Sequence, residues 1–137
     1  MNAFMDHLTR AFLTVSTVVQ MAGVAALKGP QDCVEKMVNA YDRKRRLMVS
    51  TLDSIEGVSC VMPKGAFYAF PNVSSLGLSS LELTEFLLKE AKVLLRPGAL
   101  FGSNGEGHLR FSFSESMETV KEALARFEEG VNKLRKK

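Results

Sequence analysis

The sequence has few of the side chains that build metal centres or covalent cross-links. Across 137 residues it holds two cysteines, Cys33 and Cys60, and two histidines, His7 and His108, far apart in the chain. Cys33 falls in an expected helix, Cys60 in an expected strand, and no C-x-x-C pair occurs. That pattern argues against a metal site and leaves two reduced, mostly buried thiols as the expectation. No apolar run approaches the roughly 20 residues of a membrane span, so no membrane partner is expected. The opening Met1-Asn2-Ala3-Phe4-Met5-Asp6-His7 lacks the basic-then-apolar layout of a secretory leader, and a cytoplasmic location is expected. Excess charge is small too, at +3. Its visible sources are Arg43-Lys44-Arg45-Arg46 and the tail Lys133, Arg135, Lys136 and Lys137. Such a run can mark a nucleic-acid footprint. Here it interrupts a helix whose apolar positions continue on both sides, without interleaved aromatics. It reads as a solvated helix face, and no nucleic-acid partner is expected.

What the chain does have is an ordinary globular composition, with 46% hydrophobic and 24% charged residues. Its length fits one compact domain, 1–137, with a core of normal size. Apolar spacing predicts a helix over 2–28, stopped by Gly29-Pro30, with Pro30 suited to open the next helix over about 31–54. Val58–Met62 and Ala66–Phe70 are expected strands around the turn Pro63-Lys64-Gly65. Ser79 and Glu82 carry a capping-box signature for a helix near 80–91. Val93–Arg96 and His108–Phe113 are two further strands, and a last helix starts at about Ser116 with a seam through Val120, Leu124, Phe127 and Val131. The order is ααββαββα: an α/β, α+β-like small domain, with a short mixed or antiparallel sheet of about four strands backed by helices. The first helix is more apolar than an outer helix requires, which suggests a surface meant for another domain or subunit.

Candidate chemistry concentrates on the fourth strand. Alternation sends Leu109, Phe111 and Phe113 to the core and Arg110 to the other face, alongside His108 and Ser112. An arginine on a rigid strand after a glycine-rich loop can grip a carboxylate with two parallel hydrogen bonds, which lysine cannot match. The same pattern also fits an arginine on a solvent-facing side of the sheet, or one paired to a glutamate. The loop itself, Gly102-x-x-Gly105-x-Gly107, matches neither the dinucleotide fingerprint nor the P-loop, and it leads into a strand where both need a helix. It reads as a flexible connection allowing close backbone approach. Phe67 and Tyr68 face opposite sides of their strand, which puts at least one of them in the core.

Taken together, several stretches resemble the aspartate/aromatic-type aminotransferases of the fold-type I pyridoxal-phosphate enzymes. They are Val19-Gln20-Met21-Ala22-Gly23, Arg45-Arg46-Leu47, Pro63-Lys64-Gly65-Ala66-Phe67-Tyr68-Ala69-Phe70-Pro71, Arg96-Pro97-Gly98, Phe101-Gly102 and Gly105-Glu106-Gly107-His108-Leu109-Arg110-Phe111-Ser112. Their order and spacing are those of the family's C-terminal small domain over essentially the whole chain. The resemblance implies that Arg110 binds the substrate α-carboxylate and that Phe67 lines the substrate pocket. It implies amino-group transfer between an aspartate-like or aromatic amino acid and a 2-oxo acid, with pyridoxal phosphate in the complete enzyme, in a homo-oligomer, typically a dimer. The family's Ser-x-Ser-Lys and Gly-x-Arg-x-Gly segments are not found in these residues. The expectation is therefore a domain without the N-terminal cofactor-binding large domain, with no catalytic or cofactor-binding residue of its own, inactive alone and partnered by that large domain. The alternative is a stand-alone binding or interaction module without catalysis.

Overall fold

The computed structural model describes residues 15–136. The expected helical residues before these, and His7, lie outside the described residues. The chain divides into two compact units, Met1–Glu35 and Lys36–Lys137, at a point inside one long helix.

The first unit carries α1, Thr17–Lys28, whose N-cap Ser16 is extended, so the helix does not continue smoothly from Val15. Val18, Val19, Met21, Val24 and Leu27 are all exposed on it. Helix α2 runs Asp32–Ser54, starting two residues after Pro30 instead of at it. Asp32 and Glu35 in its first turn complement the positive end of the helix dipole.

The second unit holds the core. Met48, Val49 and Leu52 from the C-terminal half of α2 meet α3, Ser80–Ala91, and α4, Met117–Leu134, through Leu83, Leu87, Val120, Leu124, Phe127 and Val131. Three strands complete it, β1 Tyr68–Ala69, β2 Arg96–Pro97 and β3 Leu109–Ser112, in the order β1-β3-β2. Both pairings are antiparallel, with Tyr68 opposite Ser112 and Arg96 opposite Arg110.

The first expected strand, Val58–Met62, shrinks to a single bridge between Ser59 and Asn72. Its alternation is real, since Val58 and Cys60 are buried while Val61 is 89% exposed. The Cys60 N–H, however, donates to Asp53 Oδ1 at 2.6 Å, so a helix side chain takes a donor that a ladder would need. Strand β1 is also shorter than expected because Ala66 sits at φ 58, which turns the chain just before it.

Two other expectations change. Cys33 is exposed and only Cys60 is buried, because the N-terminal half of α2 leaves its residues in the open. The basic run is not wholly solvated either. Lys44 is 9% exposed, donates from Nζ to the Glu115 carbonyl at 2.8 Å and lies 4.3 Å from the Tyr41 ring centroid. A long aliphatic stem lets the lysine bury its length and still satisfy its head. Arg45 bridges Asp42 and the Pro63 carbonyl, whereas Arg43 and Arg46 are exposed.

Candidate functional site

Strand β3 lies at the centre of the sheet, and its burial alternates as its sequence predicts. Leu109, Phe111 and Phe113 are at most 2% exposed, while Arg110 is half-buried on the opposite face. Phe111 packs edge-on against Phe127 of α4 at 5.0 Å, which fixes the strand's inner face. Fully burying each such side chain contributes about 1.5–3 kcal/mol, so the face presented by Arg110 is set by strong packing behind it.

On the outer face Arg110 meets aromatic rings. Its Cζ lies over Tyr68 at 4.5 Å from the ring centroid and over Phe101 at 4.7 Å. Tyr68 comes from β1, diagonal to Arg110 across the pair, a separation that long side chains span. Phe101 comes from the glycine-rich loop. No hydrogen bond or ion pair among the described residues engages the Arg110 guanidinium. The glutamate-paired alternative is therefore not what the described residues form.

The loop that brings Phe101 is folded tightly. Residues Gly98–Phe101 and Ser103–Gly105 form two short 3-10 turns. Gly98 donates to the His108 carbonyl at 2.8 Å, and a Cβ on Gly98 would stand 2.0 Å from the Gly105 carbonyl oxygen. The close backbone approach expected here is thus present, whereas the flexible reading gives way to a braced one. Glu106 adds the brace. Its carboxylate accepts from the Ser80 N–H at 2.7 Å and the Ser80 hydroxyl at 2.8 Å, joining the loop to the start of α3. Those bonds hold Glu106 below the ordinary glutamate range, the Ser80 backbone N–H contributing most.

His108 is committed to structure. Its ring stacks on Phe70 at 5.0 Å, Nδ1 faces the Glu106 carbonyl at 3.1 Å and Nε2 faces the Asn72 amide at 3.5 Å. A carbonyl partner calls for a proton on Nδ1.

Phe67 is placed differently from Arg110. It is 38% exposed, stacks on Tyr41 at 6.1 Å and touches the Tyr68 ring at 4.5 Å. Among the described contacts it reaches Arg110 only through Tyr68. Neither Phe67 nor Tyr68 is fully buried, which corrects the expectation that one of them belongs to the core. The turn at Ala66 explains it, since Phe67 precedes the strand and escapes its alternation.

Beside Arg110 opens a cleft of about 440 Å³ whose lining includes Lys92, Arg96, Ser112, Glu115 and Arg126. That volume suits a small organic molecule. Arg96 is the cross-strand partner of Arg110, and two like charges directly opposite each other are unfavourable unless an anion sits between them. The pyridoxal phosphate implied by the resemblance needs an amine for its aldehyde, a phosphate cradle and a carboxylate for its ring nitrogen. Lys92, the lysine lining the cleft, donates its Nζ to the Lys89 carbonyl at 3.0 Å. The lining residues do not fit that cofactor. They fit an anion.

Phe101 and Arg96 were absent from the sequence-based candidates. Arg96 could have been found from register, since the Arg96-Pro97-Gly98 and Leu109-Arg110 segments pair across a short turn region. Phe101 could not, because only the back-to-back contact of Gly98 and Gly105 carries it to the strand.

A small antiparallel sheet backed by helices, with an arginine on the outer face of its central strand, defines an α/β small domain, and comparison with known proteins supplies the family. The model for "Aminotransferase class I and II" matches residues 2–127, and the chain belongs to that family. It is 40% identical over 119 residues to an aspartate aminotransferase of Pyrococcus horikoshii, covering 85% of this chain and 30% of that protein. It is 42% identical over 114 residues to aromatic-amino-acid aminotransferase 2 of Thermococcus litoralis, covering 82% and 29%. The crystal structure of an aromatic aminotransferase from Pyrococcus horikoshii OT3 superimposes with a TM-score of 0.82 at 41% identity, covering 88% of this chain and 32% of that one. The chain therefore spans about 30% of the length of the relatives it matches.

Proposed function

We propose that this chain acts as the C-terminal small domain of a pyridoxal-phosphate aminotransferase and supplies Arg110 as the anchor for the substrate α-carboxylate. The observation that carries this reading is a half-buried guanidinium, braced by rings and without an acceptor among the described residues, beside a cleft of about 440 Å³. An arginine fork holds a carboxylate in one plane, and amino-group transfer depends on such orientation. In this reading Phe67 lines the substrate pocket, and the substrate is an amino acid, aspartate-like or aromatic, with its 2-oxo acid. The cofactor, the Schiff-base lysine and the catalytic residues belong to a large cofactor domain, and a second copy of the chain completes a cytoplasmic homo-oligomer. On its own the 137-residue chain is inactive as a transaminase.

The test replaces Arg110 by Lys and follows carboxylate binding calorimetrically. With the half-built, partly exposed site of this chain, the loss expected is about 1 kcal/mol, roughly fivefold in Kd. In a complete enzyme, where the contact is buried, it is about 2–5 kcal/mol. Unchanged affinity removes Arg110 from the proposal. Adding the large cofactor domain as a separate polypeptide should restore cofactor binding. A stand-alone binding module would ignore it.

A further inference from the structure

We propose that Tyr68 and Phe101 are positioning residues that hold Arg110 in its binding rotamer while leaving its hydrogen-bond donors to the ligand. This rests on the reading of Arg110 as a carboxylate anchor and deepens it.

A half-exposed arginine has many rotamers, and an anchor needs one. Proteins commonly fix such a side chain with an acidic partner, but a carboxylate partner consumes the same N–H groups that must grip the ligand. An aromatic face works differently. It attracts the cation through its quadrupole and accepts none of the in-plane hydrogen bonds. Here two rings close on one guanidinium carbon, at 4.5 Å and 4.7 Å, and no acid among the described residues pairs with it. Core packing does not explain these rings. Phe101 is 49% exposed and Tyr68 only half-buried, so both are held at the charge instead of within the interior. Each is also fixed from behind. Phe67 lies against Tyr68 at 4.5 Å, and Phe70 meets Phe101 edge-on at 6.1 Å. The Gly98–Gly105 approach sets the height of the loop that carries Phe101. Arg96, opposite Arg110, makes the local field more positive without occupying the Arg110 donors.

The experiment uses the full chain, isotopically labelled, and reads the Arg110 side-chain Nε–Hε resonance by NMR, assigned through its loss in Arg110→Lys. Acetate is the probe ligand. In the wild type the Hε signal should be displaced by ring currents, and acetate should shift it further. Tyr68→Met and Phe101→Met keep bulk and lose the ring. Each should move the signal toward its unperturbed position and raise the acetate Kd roughly threefold to tenfold. Tyr68→Phe should keep both values. An undisplaced Hε in the wild type overturns the clamp with no substitution needed, so a variant that fails to fold cannot rescue it. Met variants that lower the melting temperature yet leave shift and Kd untouched also overturn it, because that is what a purely structural role predicts. A displaced signal that ignores acetate in the wild type sinks the carboxylate reading and the purpose given to the clamp together, a result distinct from the other two.

Discussion

Gly98 and Gly105 touch backbone to backbone, and that contact makes a sharp residue-scale prediction. A Cβ on Gly98 would lie 2.0 Å from the Gly105 carbonyl oxygen and 2.6 Å from that of His108, neither of which is a movable side-chain tip. Gly98→Ala should therefore cost about 2–4 kcal/mol, read as a lower denaturant midpoint with an unchanged slope. A midpoint equal to wild type would mean the loop can spread without cost. The two thiols give a second residue-scale test. Cys33 is exposed, whereas burial pushes the Cys60 thiol pKa up and shields it. A thiol reagent should modify one cysteine of the native chain quickly and the other only after denaturant is added. Two fast thiols would contradict the burial of Cys60. At this scale the sequence was a good guide to Arg110, because a strand's alternation is local information. It was a poor guide to Tyr68 and Phe101, which meet Arg110 through a diagonal register and a folded loop.

Elements follow the same logic. Helix α3 begins where its capping box says it should, with Ser79 accepting from the Glu82 N–H at 3.3 Å while Glu82 bonds back to the Ser79 N–H at 3.0 Å. Ser79→Ala should lose about 1 kcal/mol of stability, and Ser79→Asp should keep most of it, both measured by chemical denaturation. Equal stability for the alanine variant would show that Glu106 holds the start of α3 by itself through Ser80. Helices were legible because their period repeats over many residues and their caps are local. The strand expected at Val58–Met62 was not, because its pattern is correct but Asp53 takes the Cys60 N–H. Periodicity reports which face is buried, and it does not report which acceptor a donor finds. Over the described part of the helix expected at 2–28, the helix starts only at Thr17, after an extended Ser16 that apolar spacing does not encode.

For the whole molecule, the carboxylates act together. Asp42 is held below its ordinary value first by its hydrogen bond with Arg46, Glu56 by Arg135, Glu82 by the Ser79 hydroxyl and Glu106 by the Ser80 N–H. A folded pKa below the unfolded one means the folded state binds its protons later as pH falls. The stability from each group is therefore fully present above the ordinary carboxylate value and is lost as pH drops through the lowered folded value. Melting temperature should stay level from about pH 7 down to about pH 5 and then fall steeply toward about pH 3. Glu106→Gln should make that fall shallower, since the glutamine cannot gain the proton that breaks the tie to Ser80. Salt separates the contributions further. Glu56 faces an exposed arginine, and Asp42 pairs with the exposed Arg46 as well as a part-buried Arg45, so salt screens these pairs in part, whereas Glu82 and Glu106 are held by short hydrogen bonds from serines and are not screened in this way. In about 1 M salt the acid limb should weaken without vanishing, and Glu106→Gln should flatten most of what remains. An acid limb unchanged by both salt and Glu106→Gln would mean that neither these ion pairs nor the brace between the Phe101 loop and α3 sets the stability of the domain.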